Sequence, residues 1–378
     1  MKILKKIKSI SKNYKDWRYA VYAMQSFDSI AGGLIGVFMV IYFLTLGYSV
    51  AQIFIFFIIN NIAILILFFV VGVFAKHFGL AKTLLIRLVF LFFSLFLIYN
   101  LDKFPEYFYV ISVLSAAEVA FKMFPVHVMF AKNAKKELMG DHVGKLFAIP
   151  KLIKLFVPML GATITYYFGF KALFVFAGMI YAIPVIPLLF VEKIPVEVNI
   201  NLERILDYIR RYKKYFFAEL FLSISGELEY YIMPMFIFLT FKNIFSIGIL
   251  TTFLSLGSAI FMMIVGKYSD KVGKRKFMRI GAIVMMIIWL GFYFATSQES
   301  YFILSFFSGF LGALILIPFS SIFYINAKDN HVEDFVIFRE IPLSIGRVLL
   351  YGIGLFLVGH IKIIFLFSLL PFLFLMFF

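Results

Sequence analysis

Eight ionisable residues stand inside long apolar runs of this sequence: the acids Asp28, Glu118, Glu227 and Glu229, and the bases Lys122, Lys151, Lys154 and Arg347. At the centre of a bilayer each costs about 2.5–3.5 kcal/mol on insertion scales, so a group kept there is read as functional and needs a partner or a polar cavity. Burial and a neighbouring cation act oppositely on a carboxyl proton, which makes Asp28, Glu118 and Glu229 candidates for proton exchange. The four cations suit an anionic or zwitterionic solute, although four matching acids leave a cation or an apolar drug open. Glu118 and Lys122 are spaced i, i+4, as in a self-neutralising pair. Glu227 and Glu229 lie two apart on a helix and point in directions about 200° apart, so one of them faces a cavity. Glu229, beside Tyr230 and Tyr231 and ahead of Pro234, is the favoured one.

Other chemistries are poorly served. The chain has no cysteine, which excludes disulfides, thiolate metal sites and cysteine nucleophiles. His77, His127, His142, His331 and His360 all fall at or near the ends of apolar runs, so no metal cluster or acid–base set gathers at one depth. No G-x-x-x-x-G-K-[ST] loop is present for nucleotide drive. Neither a cofactor, a metal nor an enzymatic activity is expected.

The elements that must position these charges are membrane helices. Of 378 residues 63% are hydrophobic and only 15% charged, against roughly 25% in soluble domains. Twelve apolar runs read as spans, at 19–46, 50–75, 83–99, 107–130, 146–168, 172–191, 216–240, 244–266, 277–295, 301–325, 339–359 and 361–378. Glu118, Lys154, Glu227, Glu229 and Arg347 fall near the midpoints of their spans, where alternating-access proteins keep their substrate site. Alternate connections divide the basic residues unequally. The N-terminus and even-numbered loops hold 28 of the 36 Lys and Arg, with Arg87, Arg279 and Arg339 counted at helix ends, so both termini are expected in the cytoplasm. The net charge of +16 is thus read as orientation in a bilayer, not as nucleic-acid binding. The N-terminal run lacks a cleavage site and reads as a retained first helix.

The chain divides into 1–191, a linker at 192–215 and 216–378. In the linker Leu202, Ile205, Leu206 and Ile209 recur at helical spacing among charges, predicting an amphipathic helix along the inner membrane surface. The halves repeat one another. Gly72 to Lys82 matches Gly266 to Lys276 at an offset of 194, Phe43-Leu44-Thr45 matches Phe238-Leu239-Thr240, and Ile149-Pro150 matches Ile341-Pro342. Lys154 and Arg347, 193 apart, then become symmetry-related cations.

The second loop resembles the signature of the major facilitator superfamily, G-x-x-x-D-[RK]-x-G-[RK]-[RK]-[RK], with Gly266, Asp270, Lys271, Gly273, Lys274, Arg275 and Lys276 at every position. The resemblance implies an all-α integral membrane protein of twelve transmembrane helices in two six-helix parallel-repeat halves, with the third, sixth, ninth and twelfth helices outermost. It also implies that Asp270 acts as a conformational latch, receiving helix N-terminal N–H groups that we place near Gly144 to Leu146. The first copy departs from the pattern, with Lys76, His77, Leu80 and Ala81 at signature positions. The functional expectation is a secondary transporter of the cytoplasmic membrane that moves a small solute by alternating access. It is expected to be proton-coupled and monomeric, with the solute, protons and the lipid bilayer as its partners and no nucleic acid. Asp28, Glu118, Lys122, Lys151, Lys154, Glu229 and Arg347 would form the pathway. The alternatives are an efflux protein for lipophilic compounds and a non-transporting receptor or scaffold on a degenerate transporter fold.

Overall fold

The computed structural model describes residues 17–183 and 199–378, with side chains from Met24 onward. The described residues contain helices and connections only. The first half comprises α1 (Trp17–Thr45), α2 (Val50–Phe78), α3 (Leu80–Tyr99), α4 (Phe108–Asn133), α5 (Met139–Ile153) and α6 (Val157–Ala182). A short α7 (Leu202–Arg211) follows the linker. The second half comprises α8 (Lys213–Glu227), a π-helical turn at Leu228–Ile232, α9 (Met233–Phe241), α10 (Ile244–Val272), α11 (Lys274–Phe294), α12 (Gln298–Asp329) and α13 (Val332–Phe356). It ends in the short α14 (Ile361–Ile364) and α15 (Leu369–Met376).

Among the described residues, 9 helical stretches are long and apolar enough to cross a membrane. One of them, Lys136–Ala182, is 47 residues long and reverses at Gly169, whose φ is 80°. The reversal shows in its packing. Along α1, Gly33 meets Val157 and Phe38 meets Gly161, whereas Gly32 meets Tyr181 and Tyr42 meets Phe170 and Phe174. One limb thus runs with α1 and the other against it. The twelve expected spans would require splitting this stretch at Gly169 and adding 213–241 and α13, which are not among the nine.

Local sequence sets the helix ends. Ser49 and Gln52 form a capping box at α2, and Asn243 and Ser297 cap α10 and α12. The repeated loops have one backbone solution: Gly79 and Gly273 alone separate α2 from α3 and α10 from α11, at φ 83° and 107°. A residue with a Cβ is strained there, which accounts for the glycine at this signature position.

The halves meet along two seams. α2 lies along α13, with Phe54 against Tyr351 and Gly354. α5 and the first limb of α6 lie along α10, where a Cβ on Gly266 would stand 2.6 Å from the Gly140 carbonyl oxygen. Backbone contact that close requires glycine on both sides.

Three expectations change. The fifth span, placed at 146–168, opens seven residues earlier, at Met139, and is interrupted at 154–156. The last span divides into α14, a 3₁₀ segment at Phe365–Ser368 and α15. The linker helix forms, but Ile205 and Tyr208 are buried, with Tyr208 against Phe335 and Phe338 of α13, and only Leu202 and Leu206 are left exposed. Its apolar stripe is therefore shared between protein and surroundings. Residues 192–198 of the linker lie outside the described residues.

Candidate functional site

Four charges gather inside the first half. Both Arg87 guanidinium Nη atoms donate to Asp28, at 2.6 Å each, and Nη1 lies 3.4 Å from Glu118 Oε1. Lys122 Nζ lies 3.7 Å from Glu118 and 3.9 Å from Asp28. The fork-to-carboxylate geometry makes Asp28–Arg87 the strongest pair of the set, and Arg87 is fully buried. Counting Arg87 as a loop charge was therefore wrong, because α3 begins at Leu80 and carries it two turns into the bundle. Glu118 and Lys122 do meet, as their spacing predicts, but as the outer members of a four-charge cluster.

The interruption of α5 lies next to this cluster. Pro158 has no N–H to offer the carbonyl four residues back and its ring would collide with that carbonyl, so the helix stops at Ile153 and restarts at Val157. The residue at the stop is Lys154. Carbonyls at a helix C-terminus favour a cation. Lys154 makes no ion pair with any described residue, and the charges acting on it are those of Lys151 and Lys122. Lys151 donates to Ser258 of α10 at 3.0 Å, across the seam, and is attracted by Glu229.

Arg347 is placed differently. Its Nε lies 3.2 Å from Glu227 and its Nη1 3.9 Å from Glu340, while Nη1 also reaches Asn61 of α2 at 3.4 Å. Tyr351 donates to the other Glu227 oxygen at 2.6 Å. The symmetry expected of Lys154 and Arg347 thus holds for sequence position and not for environment. The two glutamates take different partners. Glu227 is the partner of Arg347, and Glu229 accepts from Ser308 of α12 at 2.6 Å. The π turn beginning at Leu228 alters the angle between them, so both point into protein.

At the end of the bundle that carries the signature loops, Asp270 accepts from the backbone N–H groups of Gly140, at 3.1 Å, and Asp141, at 3.2 Å. These open α5, four residues before the stretch around Gly144 that the sequence pointed to. Lys274 donates to the same carboxylate at 2.7 Å, while no bond from Lys271, Arg275 or Lys276 to Asp270 is present. Arg339, also counted at a helix end, is a second inward-facing cation missed from sequence, half-buried where Arg87 is fully buried. Its Nε donates to Glu219 and its guanidinium lies over the Phe323 ring at 4.5 Å. At the opposite end Lys171 donates to Asp102 at 2.8 Å, and this bond holds the Asp102 carboxyl below the usual carboxylate range.

Residues 215–378 match the family model described as Major Facilitator Superfamily. No curated protein matches the chain. Among solved structures, the crystal structure of the human organic anion transporter MFSD10 (TETRAN) shares the fold, with a TM-score of 0.66 at 13% identity, covering 95% of this chain and 98% of that one.

Proposed function

We propose that this chain, a Major Facilitator Superfamily transporter by its fold and by the match of its second half, is a secondary active carrier of a small organic anion or zwitterion. The observation that carries the reading is the environment of Lys154. It is a cation at an interrupted helix with two further lysines near it and no ion pair among the described residues, while the inward-facing arginines Arg87, Arg339 and Arg347 are all paired with carboxylates. An anionic group of a solute would complete that site, and interrupted helices at mid-membrane are where transporters bind charged solutes. The organic anion transporter of like fold handles the same charge class.

Proton coupling is assigned to Glu118 and Glu229. Asp28, held by both arms of Arg87, keeps a structural role. Both termini and both signature loops face the cytoplasm, and Asp270 steadies the state in which that side is closed. The carrier acts as a monomer. Lipophilic-compound efflux and a receptor role gain no specific support from these contacts.

A thermal-shift series on the purified protein tests the reading, since a ligand of the folded state raises its stability. Mono- and dicarboxylates should raise Tm more than their neutral amides or amines, and Lys154→Gln should weaken that response at least tenfold without changing the ligand-free Tm. Stabilisation by amines or neutral compounds alone would overturn it.

A further inference from the structure

The inference concerns His127, which the sequence placed near a helix end and no transport role has absorbed. The side chain lies inside α4 and stands between the halves. Its Nε2 is 3.3 Å from Arg339 Nη1 of α13 and its Nδ1 is 2.7 Å from Tyr324 Oη of α12. An arginine N–H can only donate, so Nε2 must be the acceptor. That leaves the single ring proton on Nδ1, donated to Tyr324, and fixes His127 as the neutral Nδ1–H tautomer in the closed contact.

The surroundings explain why the ring is not compensated there. The charge acting on the imidazole is that of Arg339. Glu219 of α8 has both oxygens engaged, one by Arg339 and the other by Tyr215, and Glu340 acts on Arg339 from the same helix, α13. From α12 the facing titratable group is Tyr324. On α4 itself, Lys132 lies beyond the ring and is paired with Glu333 of the second half. A proton on Nε2 would remove the acceptor for Arg339 and bring two cations together, with no carboxylate released to separate them. Arg339, Glu219, Tyr215 and Tyr324 all belong to the second half, so when the halves part His127 leaves this group while the group stays intact.

We propose that His127 is a proton-binding site coupled to closure of the signature-loop end: closed, it is neutral and accepts from Arg339, and open, it takes a proton that keeps the end from closing. The transport consequence rests on the reading above, but the switch itself does not.

The absence of cysteine from the chain makes the test direct. Lys135→Cys, after α4, and Lys214→Cys, in α8, are exposed positions on opposite halves at this end, and spin labels there report its opening by pulsed electron spin resonance in nanodiscs. Between about pH 8 and pH 5.5, across the ordinary imidazole range near 6.5, the long-distance fraction should rise, by up to tenfold per pH unit for one coupled proton. His127→Gln, which can still accept from Arg339, should stay closed throughout, and His127→Lys should be open even at pH 8. A pH response that survives in His127→Gln, or wild-type distances that ignore pH, would overturn the proposal. If the distances respond as expected while proteoliposomes move no solute, the transport reading fails and the switch stands.

Discussion

α5 and α13 occupy equivalent places in the two repeats, yet they handle charge in opposite ways. Each begins with an acid at its third position, Asp141 and Asp334, each carries an Ile-Pro pair, and each is followed by a cation at the repeat offset, Lys154 just past the end of α5 and Arg347 within α13. In α5 Pro158 stops the helix at the cation, which stays without a carboxylate. In α13 the equivalent position is Tyr351, the helix continues, and the tyrosine holds Glu227 against Arg347. The N-termini diverge as well. α5 takes its acid from the signature loop, Asp270. At α13 the acid is the helix's own Asp334, which accepts from Asn201 N at 2.9 Å and Arg204 Nε at 2.6 Å, both in the linker. In the proposed cycle the first contact lets go with its loop, while the second stays tied to the segment joining the halves. On that reading a duplicated scaffold supplies a working seam and a fixed one.

The largest effect should come from the paired cation. Removing one partner of a buried ion pair leaves the other uncompensated, so Arg347→Gln should cost about 3 kcal/mol of stability, read as a lowered Tm. Adding Glu227→Gln should restore most of it, whereas adding Glu229→Gln should not, because Glu229 is held by Ser308. Lys154→Gln, by contrast, should leave stability unchanged. Rescue by Glu229→Gln would reverse the assignment of the two glutamates.

The seams differ next in tolerance of a methyl group. A Cβ on Gly266 meets the backbone of Gly140 at 2.6 Å and of Gly144 at 3.1 Å, so Gly266→Ala must push α5 and α10 apart, at about 1–3 kcal/mol. A Cβ on Gly72 meets the tips of Ile200 and Ile337, which can turn away, and Gly72→Ala should lower Tm by less than half as much. Equal losses would mean that both seams are equally rigid.

How far the sequence anticipates this arrangement depends on what kind of fact is asked of it. Span positions, the repeat and the loop signature are patterns of residue type at fixed spacing, and they are readable. Arg87, Arg339, Glu219 and Glu340 were not, because each falls at the start of its apolar run while its helix begins about one to two turns earlier, and a charge at the margin of a run looks like a loop charge. Pairing is less readable still. Asp28 and Arg87 are 59 residues apart and nothing local favours that match over Asp28 with Lys122. The break at Lys154 had a local signal in Pro158, but a proline in a membrane helix more often bends it than stops it.

A smaller effect separates the loop latch from the linker tie. Asp270→Asn keeps the volume but weakens the bonds from Gly140, Asp141 and Lys274, worth about 1 kcal/mol or somewhat more, and should open the labelled end while Tm changes little. Asp334→Asn should instead free the linker, seen as faster proteolysis around 199–211 with the labelled distances unchanged. If Asp334→Asn opens the end as readily as Asp270→Asn, the tie is a second latch.

The smallest effect is expected at the opposite end, where Asp102 and Lys171 are both about one-third exposed and join the α3–α4 connection to the reversal at Gly169. The Lys171 hydrogen bond lowers the Asp102 carboxyl below its ordinary range, so folding gains from this group above the unfolded value near 3.9 and loses that gain as pH falls through the lower folded value. Between pH 5 and pH 8 both states are ionised, and the pair contributes no pH dependence. Exposure and salt screening keep its contribution slight. Lys171→Gln should therefore lower Tm only slightly, by the same amount at pH 5 as at pH 8, and the difference from wild type should vanish on the acid limb, where Asp102 is protonated in both. The His127 response lies in the window where this pair is silent, so a pH-dependent opening that disappears in Lys171→Gln would move the sensor from the signature-loop end to this one.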